Sequence, residues 1–329
     1  MAVRFATIGT NLITDHFLEA LQDVSGCKLE AVYSRSMEKA DAYARKHGAT
    51  RSFDSLEALA ACSEIDAVYI ASPTFLHAAQ TIQMLEGGKH VLVEKPAASN
   101  AAEFRQMKAA TRENNCVLLE AMRNIHSPGF RCMQDHLKKL GTVRRAYFEF
   151  FQYSSRYDKF KAGIIENAFR PELSNGALMD IGVYCLQPML ILFGMPEDVS
   201  AFAVRLHNGL DGAGSVLMRY PDMIGEIAYS KITDSALMSE IQGEDGVMSV
   251  SQIASPLHVE IHARSGGSTI MEIPQVSNNM IYEIETFRDL FAKKETDNRF
   301  LKYTEEQMTL LDRIRHLEGI SFPADQSVS

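Results

Sequence analysis

Five short apolar runs fill the first ~120 residues, each separated from the next by a helical pattern, and this alternation narrows the fold more than any other feature of the chain. The runs are Arg4–Ile8, Leu29–Tyr33, Ile65–Ala71, His90–Glu94 and Cys116–Glu120. Each is short, β-branched and nearly continuous, as parallel strands covered on both faces must be. The gaps carry helix signals. Ser36 is a good N-cap for a helix over 36–47, Asp54 and Glu57 have capping-box spacing, and so do Asn100 and Glu103. The alternation predicts an α/β fold of βαβ units, a doubly wound parallel sheet with right-handed crossovers.

Beyond residue 125 the texture changes. A long strand is expected over 144–153, followed by strands at 199–207, 214–220, 225–232, 237–243, 246–251, 257–263 and 268–273. Turns such as Glu244-Asp245-Gly246 join them, so this sheet is expected to be mostly antiparallel. Helical stretches are expected near 176–193, 279–294 and 303–316. The boundary falls near His126-Ser127-Pro128-Gly129, giving domains 1–124 and 125–329, as a 329-residue length also suggests.

Thirty-three Lys and Arg against 42 Asp and Glu leave a formal charge of -9. Such a chain repels phosphate backbones unless it carries a concentrated basic patch, and Lys138, Lys139, Arg144 and Arg145 do not make one, so no nucleic-acid partner is expected. The five cysteines are scattered without metal-ligand spacing, which points to reduced thiols, a cytoplasmic location and no metal. No signal-peptide pattern opens the chain, and no apolar run approaches ~18 residues, so no membrane span is expected.

Five segments could carry chemistry. Gly9, Thr10, Asn11, Leu12, Ile13 and Thr14 close the first strand and open a helix, where a dinucleotide-binding turn belongs. Only the first glycine of the G-x-G-x-x-G pattern is present. Asn11 can replace the second through its tolerance of left-handed dihedrals, and Thr14 doubles as an N-cap. An ordinary strand-to-helix turn reads equally well. After the second strand, Ser34, Arg35 and Ser36 stand where an NAD-selective enzyme places a carboxylate for the ribose hydroxyl. They suit a 2′-phosphate instead, a slight lean to NADP, with a solvated loop as the alternative. Ser72, Pro73 and His77 follow the third run, at the carboxyl end where ligands bind. His77 reads equally as structural.

Glu94 and Lys95 end the fourth run just before Pro96. A lysine there is costly unless paired or functional, though it can also snorkel to solvent. Asp180 and Tyr184 lie four apart among Leu178, Ile181, Leu186 and Met189. On a helix they share a face, and a carboxylate with a phenol can hold a hydroxyl and manage its proton. A buried hydrogen-bonded pair is the alternative.

Together the N-terminal turn, Glu94-Lys95-Pro96 and the string from Gly176 through Asp180, Gly182 and Tyr184 resemble the glucose–fructose oxidoreductase / inositol dehydrogenase / MocA (Gfo/Idh/MocA) family, from Phe5 to about Pro323. The tyrosine, where many members place histidine, is similar to the branch with dimeric dihydrodiol dehydrogenase. The resemblance implies a Rossmann domain and a C-terminal α+β domain on an open sheet for substrate binding and oligomerisation. It implies NAD(P)-dependent oxidation of a sugar, polyol, diol or related alcohol, with Lys95, Asp180 and Tyr184 as catalytic residues. The turn 9–13, Ser34, Arg35, Ser72, Pro73, His77, Glu94 and Lys95 would bind the cofactor.

On this reading Tyr184 takes the hydroxyl proton, a Lys95 ammonium favours its phenolate, and Asp180 orients Lys95 or the substrate. Asn167 and Arg170 line the substrate side, or Arg170 is a surface residue. The degraded glycine turn leaves room for a non-catalytic dinucleotide-binding regulator, and a structural scaffold is a third reading. A strand such as Tyr147–Phe151 has a face that needs cover, so a homodimer or dimer of dimers is expected.

Overall fold

The computed structural model describes residues 2–274 and 276–328. The chain forms two compact units, one of Met1–Met122 with Ser277–Glu305 and one of Arg123–Val276 with Glu306–Ser329.

The first unit contains β1 (Val3–Ile8), α1 (Leu12–Asp23), β2 (Cys27–Tyr33), α2 (Met37–His47), β3 (Arg51–Phe53), α3 (Leu56–Ala61), β4 (Ala67–Ile70), α4 (His77–Glu86), β5 (His90–Glu94), α5 (Ala101–Glu113) and β6 (Leu118–Ala121). The strands form one parallel sheet in the order β3-β2-β1-β4-β5-β6. This is the doubly wound order, with its switch point between β1 and β4. All five expected runs are strands. β3 went unforeseen because Arg51-Ser52-Phe53 is a polar, half-exposed edge with no apolar run to betray it.

The helix starts follow short side chains. Asn100 accepts from Glu103 N at 2.9 Å, while Glu103 returns a bond to Ser99 N at 2.8 Å. At α3 the cap is Ser55, which accepts from Ala58 N, and not Asp54.

The second unit begins with α6 (Pro128–His136), β7 (Val143–Phe151) and α7 (Tyr157–Lys161). A π-type segment, Leu178–Gly182, leads into α8 (Val183–Phe193). Seven strands follow: β8 (Asp198–Arg205), β9 (Asp211–Arg219), β10 (Ile224–Ser230), β11 (Ser239–Gly243), β12 (Gly246–Val250), β13 (Val259–Ala263) and β14 (Ser268–Met271). The eight-stranded order is β14-β13-β12-β11-β7-β10-β9-β8. Every pairing is antiparallel except β7 with β10, which is parallel.

The helix α8 packs on β7 and β10 and is apolar all round, as a core helix must be. With the turns before it, Pro171–Phe193 is long and apolar enough to cross a membrane by length and composition, contrary to the run count above. The share buried within the fold is 78%, which accounts for its composition as core.

The chain then returns to the first unit as α9 (Ile281–Lys293), and α10 (Arg299–Glu318) carries it back into the second. Ile284, Phe287 and Leu290 of α9 join the core of β1, α1 and β4. Phe287 lies 5.4 Å from the Phe5 ring, and Phe17 stacks on Tyr69 at 3.7 Å.

Candidate active site

In the first unit the site is built on the switch point. Ile8 and Ile70 end paired strands, and Ala71 N donates to Ile8 O at 2.8 Å. Gly9 has φ +119, and a Cβ there would stand 2.9 Å from Ala71 O, so glycine is required. Asn11 does not use the left-handed region: it is extended, at φ -103 and ψ 177, and is itself the N-cap of α1. Its Oδ1 accepts from Thr14 N and from the Thr14 hydroxyl, and its Nδ2 donates to Ala71 O at 2.8 Å. Asn11 thus caps the helix and braces the two switch-point loops together, while Thr14, expected as a cap, is a buried partner of the real one.

The open N–H groups of α1 beside Gly9, Thr10, Leu12 and Ile13 make a cradle fit for a pyrophosphate. Arg35 is exposed after β2, and Ser34 and Ser36 are half-buried beside it. Ser36 is the N-cap of α2.

After β4, the Ser72 hydroxyl donates to Gln80 at 2.6 Å. His77 is fully buried, with Nδ1 3.0 Å from Pro96 O and Nε2 2.8 Å from Ser72 O. Burial pushes its imidazole below the usual range, against the two carbonyls, with Lys95 adding to the fall. The ring joins the Ser72-Pro73 loop to the Lys95-Pro96 loop from behind. Glu94 is buried and accepts from the Tyr69 hydroxyl at 2.5 Å and from Lys95 N at 3.3 Å, so the strand end that presents Lys95 is fixed. The Lys95–Pro96 peptide is cis.

In the second unit Gly176 has φ +144 and opens the segment that carries Asp180. The buried Asp211 carboxylate accepts from Leu178 N at 2.6 Å and so holds the start of that segment. Burial pushes the Asp211 carboxyl up, opposed by these N–H bonds and by Lys231. Asp180 lies within the π-type turn, half-exposed, with Oδ2 2.7 Å from Lys231 Nζ. Tyr184 sits in the first turn of α8 and is only 6% exposed. Phe150 meets its ring edge-on at 5.7 Å, and the Arg123 guanidinium lies 5.5 Å from the ring centre. Asn124, fully buried, donates to Tyr184 O and to Ile253 O, both at 3.0 Å. Cys185 is buried as packing.

Asn167 and Arg170 are exposed. Asn167 O accepts from Asn175 at 2.7 Å, and Arg170 pairs with Glu172 at 3.5 Å. The structure therefore brings Asp180 and Tyr184 together in the second unit, with Asn167 and Arg170 on a nearby stretch of chain, while Lys95 and the cofactor residues belong to the first. Among the described residues no group of acidic, histidine or cysteine side chains could hold a metal.

Lys231, Asp211 and the placing of Arg123 were not foreseen. Lys231 follows a buried strand directly, the same signal that marked Lys95, and could have been found by it.

Beneath the segment, the Tyr229 hydroxyl donates to Glu318 at 2.7 Å. Burial pushes the Glu318 carboxyl up to about 7; the Tyr229 bond lowers it and Asp211 raises it. A value raised on folding contributes stability that is present in acid and lost as pH rises through about 7. Glu318→Gln removes that loss. Urea unfolding from pH 5.5 to 8.5 is expected to show the variant gaining on wild type by about 2 kcal/mol, nearly all of it below about pH 7.5. A pH-independent difference would place the ionisation elsewhere.

Two family models match the chain: an oxidoreductase family with an NAD-binding Rossmann fold over residues 3–122, and the GFO/IDH/MocA C-terminal domain over residues 136–249. A scyllo-inositol 2-dehydrogenase (NADP(+)) of Bacillus subtilis (strain 168) is 45% identical over 327 residues, 99% of this chain and 100% of that protein. The chain belongs to the Gfo/Idh/MocA family. This Gfo/Idh/MocA protein is therefore an NAD(P)-dependent oxidoreductase acting on CH–OH groups, as the resemblance implies.

A trans-1,2-dihydrobenzene-1,2-diol dehydrogenase of Homo sapiens is 27% identical over 345 residues, 99% of this chain and 100% of that one. A 3-ketoreductase from Actinomadura kijaniata, solved with NADP and TDP-benzene, shares the fold with a TM-score of 0.85 at 21% identity, over 97% of this chain and 98% of that one. The regulatory reading gives way to the oxidoreductase, on the NAD-binding family model and the 45% identical dehydrogenase.

Proposed function

We propose that this oxidoreductase is an NADP-preferring dehydrogenase of a cyclic polyol of the inositol class. The observation that carries the reading is Asp180 and Tyr184 on successive turns of one buried helical segment, a carboxylate acceptor beside a phenol. The 45% relative, a scyllo-inositol 2-dehydrogenase that uses NADP(+), supports the substrate class.

The expected division at 124/125 is amended by the return of 277–305: the first unit serves as the dinucleotide-binding domain and the second as the domain for substrate binding and oligomerisation. Gly9, Thr10, Asn11, Leu12 and Ile13 hold the pyrophosphate at the start of α1. Ser72, Pro73, Glu94 and Lys95 line the nicotinamide side, with His77 bracing them. When bound, the nicotinamide supplies the carbon that accepts or returns hydride. Tyr184 takes the proton of the reacting hydroxyl, with the Arg123 charge fixed against its ring, and Lys95 is the catalytic lysine of the first unit. Asp180 accepts a hydrogen bond from a second hydroxyl, which a polyol has and a simple alcohol lacks. Asn167 and Arg170 line the substrate side.

The test is a panel of inositols, sugars and trans-dihydrodiols against NADP and NAD, read by absorbance of the reduced cofactor. An inositol with NADP is expected to give the highest kcat/KM. Turnover of sugars or diols alone would overturn the substrate class.

Ser34 and Arg35 receive the 2′-phosphate, since no carboxylate stands at 33–36. Arg35→Ala is expected to raise KM for NADP by roughly 10–100-fold, the loss of one charge-assisted hydrogen bond, and to leave KM for NAD nearly unchanged. Equal rises for both would move the 2′-phosphate away from Arg35.

One face of the second sheet exposes Phe202, Val204, Leu217 and Ile224 side by side. We infer that a second copy of the chain covers it as a homodimer or dimer of dimers. A monomer in light scattering at micromolar concentration would contradict this. The five free thiols suit a reducing compartment, and we assign the protein to the cytoplasm.

A further inference from the structure

We propose that Lys231 is a positioning residue for the reaction, fixing the Asp180 carboxylate from beneath so that it meets the substrate in one orientation. The proposal rests on the reading of Asp180 and Tyr184 given above.

Lys231 follows β10 directly, and its main-chain N–H donates to Gly212 O at 2.8 Å, which ties its backbone to the start of β9. Its side chain is 5% exposed, against 36% for Asp180. The ammonium donates to Asp180 Oδ2 at 2.7 Å and to Ala168 O at 3.3 Å, and it lies 5.0 Å from the centre of the Phe169 ring. Two acceptors and an aromatic face satisfy a three-donor group in a place where water is scarce.

A buried ion pair is weak evidence of stabilisation, because an apolar side chain of similar size often does as well. The asymmetry of exposure is what points to use. The buried partner is the cation, and the carboxylate stands on the open side. Lys231 therefore reaches a substrate hydroxyl through Asp180.

The same ammonium acts on Asp211, lowering a carboxyl that burial raises, while Asp211 holds the Leu178 N–H. Asp180 and Asp211 both belong to the structure around one short helical segment, and Lys231 is the cation paired with the first and felt by the second. Without it the Asp180 carboxylate loses the buried ammonium that holds its Oδ2.

The test uses Lys231→Met, Asp180→Asn and the double variant, assayed with the best alcohol of the panel. Lys231→Met is expected to raise KM for the alcohol and lower kcat, so that kcat/KM falls roughly 10–100-fold. The Kd for NADPH, read by its fluorescence, stays at the wild-type value. In the Asp180→Asn background the same substitution changes kcat/KM by less than about threefold, because residues that act as a unit are non-additive. Lys231→Arg, which keeps the charge, recovers part of the loss.

Wild-type kinetics for Lys231→Met, or losses that multiply in the double variant, would overturn the proposal. If Lys231→Met does not fold, Lys231→Arg decides. Its misplaced charge must lower kcat/KM when Asp180 is present and leave it unchanged in Asp180→Asn; the same loss in both backgrounds overturns the proposal. A Tyr184→Phe variant with full activity would instead sink the underlying reading, whatever Lys231 does.

Discussion

Tyr184→Phe is expected to fold as wild type and to lose roughly 10²–10⁴-fold in kcat, the range for removal of a positioned acid/base. The substitution removes one oxygen and leaves the ring. The Phe150 edge contact and the Arg123 charge over the ring face both survive, and so does the Asn124 bond, which goes to the Tyr184 main chain. Packing therefore gives little reason for a loss of stability, and a rate loss reports the hydroxyl. KM for the alcohol should move much less than kcat, because the proton is transferred in the transition state. Steady-state kinetics with a thermal melt of the same preparation measure both. A kcat within about threefold of wild type would remove Tyr184 from the chemistry.

Gly176→Ala is expected to be the most damaging small change near the site. Gly176 has φ +144, where an L-residue is strained, and the new Cβ would stand 2.1 Å from Asp211 Oδ1. That carboxylate cannot easily withdraw, since it is buried and bonded to Leu178 N. Backbone strain of ~1–3 kcal/mol and overpacking of similar size together cost roughly 3 kcal/mol or more. Gly163→Ala is the control: φ is +82, but nothing lies within 4 Å of its Cβ, so only strain of ~1–2 kcal/mol applies. Urea midpoints with unchanged slopes compare the two. Equal losses would show that Asp211 gives way. A larger loss at Gly176, with reduced kcat in the folded fraction, would show that Asp211 sets the segment that carries Asp180 and Tyr184.

The candidate site was legible wherever its residues carry a local signal. Gly9 and Lys95 stand at the ends of apolar runs, and Asp180 and Tyr184 are linked by helical spacing. Asn11 stands in the turn, though not through left-handed dihedrals. Its value comes from a bond to Ala71 O, across the switch point, and not from its own dihedrals. Lys231 stayed hidden because its partner Asp180 lies on a distant element, and only the register of β10 against β7 and β9 sets the two in reach. The edge strand β3 stayed hidden, and the apolar stretch 171–193, for which no membrane span was expected, is a core segment. A polar edge strand has no apolar run, and a fully buried helix resembles a membrane span in composition alone.

The sequence by itself determined the alternation of strand and helix, the parallel first sheet, the succession of strands in the second and the helical spacing of Asp180 and Tyr184. These follow from side-chain periodicity and from capping, which act within a few positions along the chain. The tertiary structure alone decided the parallel pairing of β7 with β10, the return of α9 to the core around Phe5 and Phe17, and the Lys231–Asp180 ion pair. Each of these joins residues far apart in the chain, where no local pattern specifies the partner and the choice is made by which apolar faces and buried charges can be satisfied together.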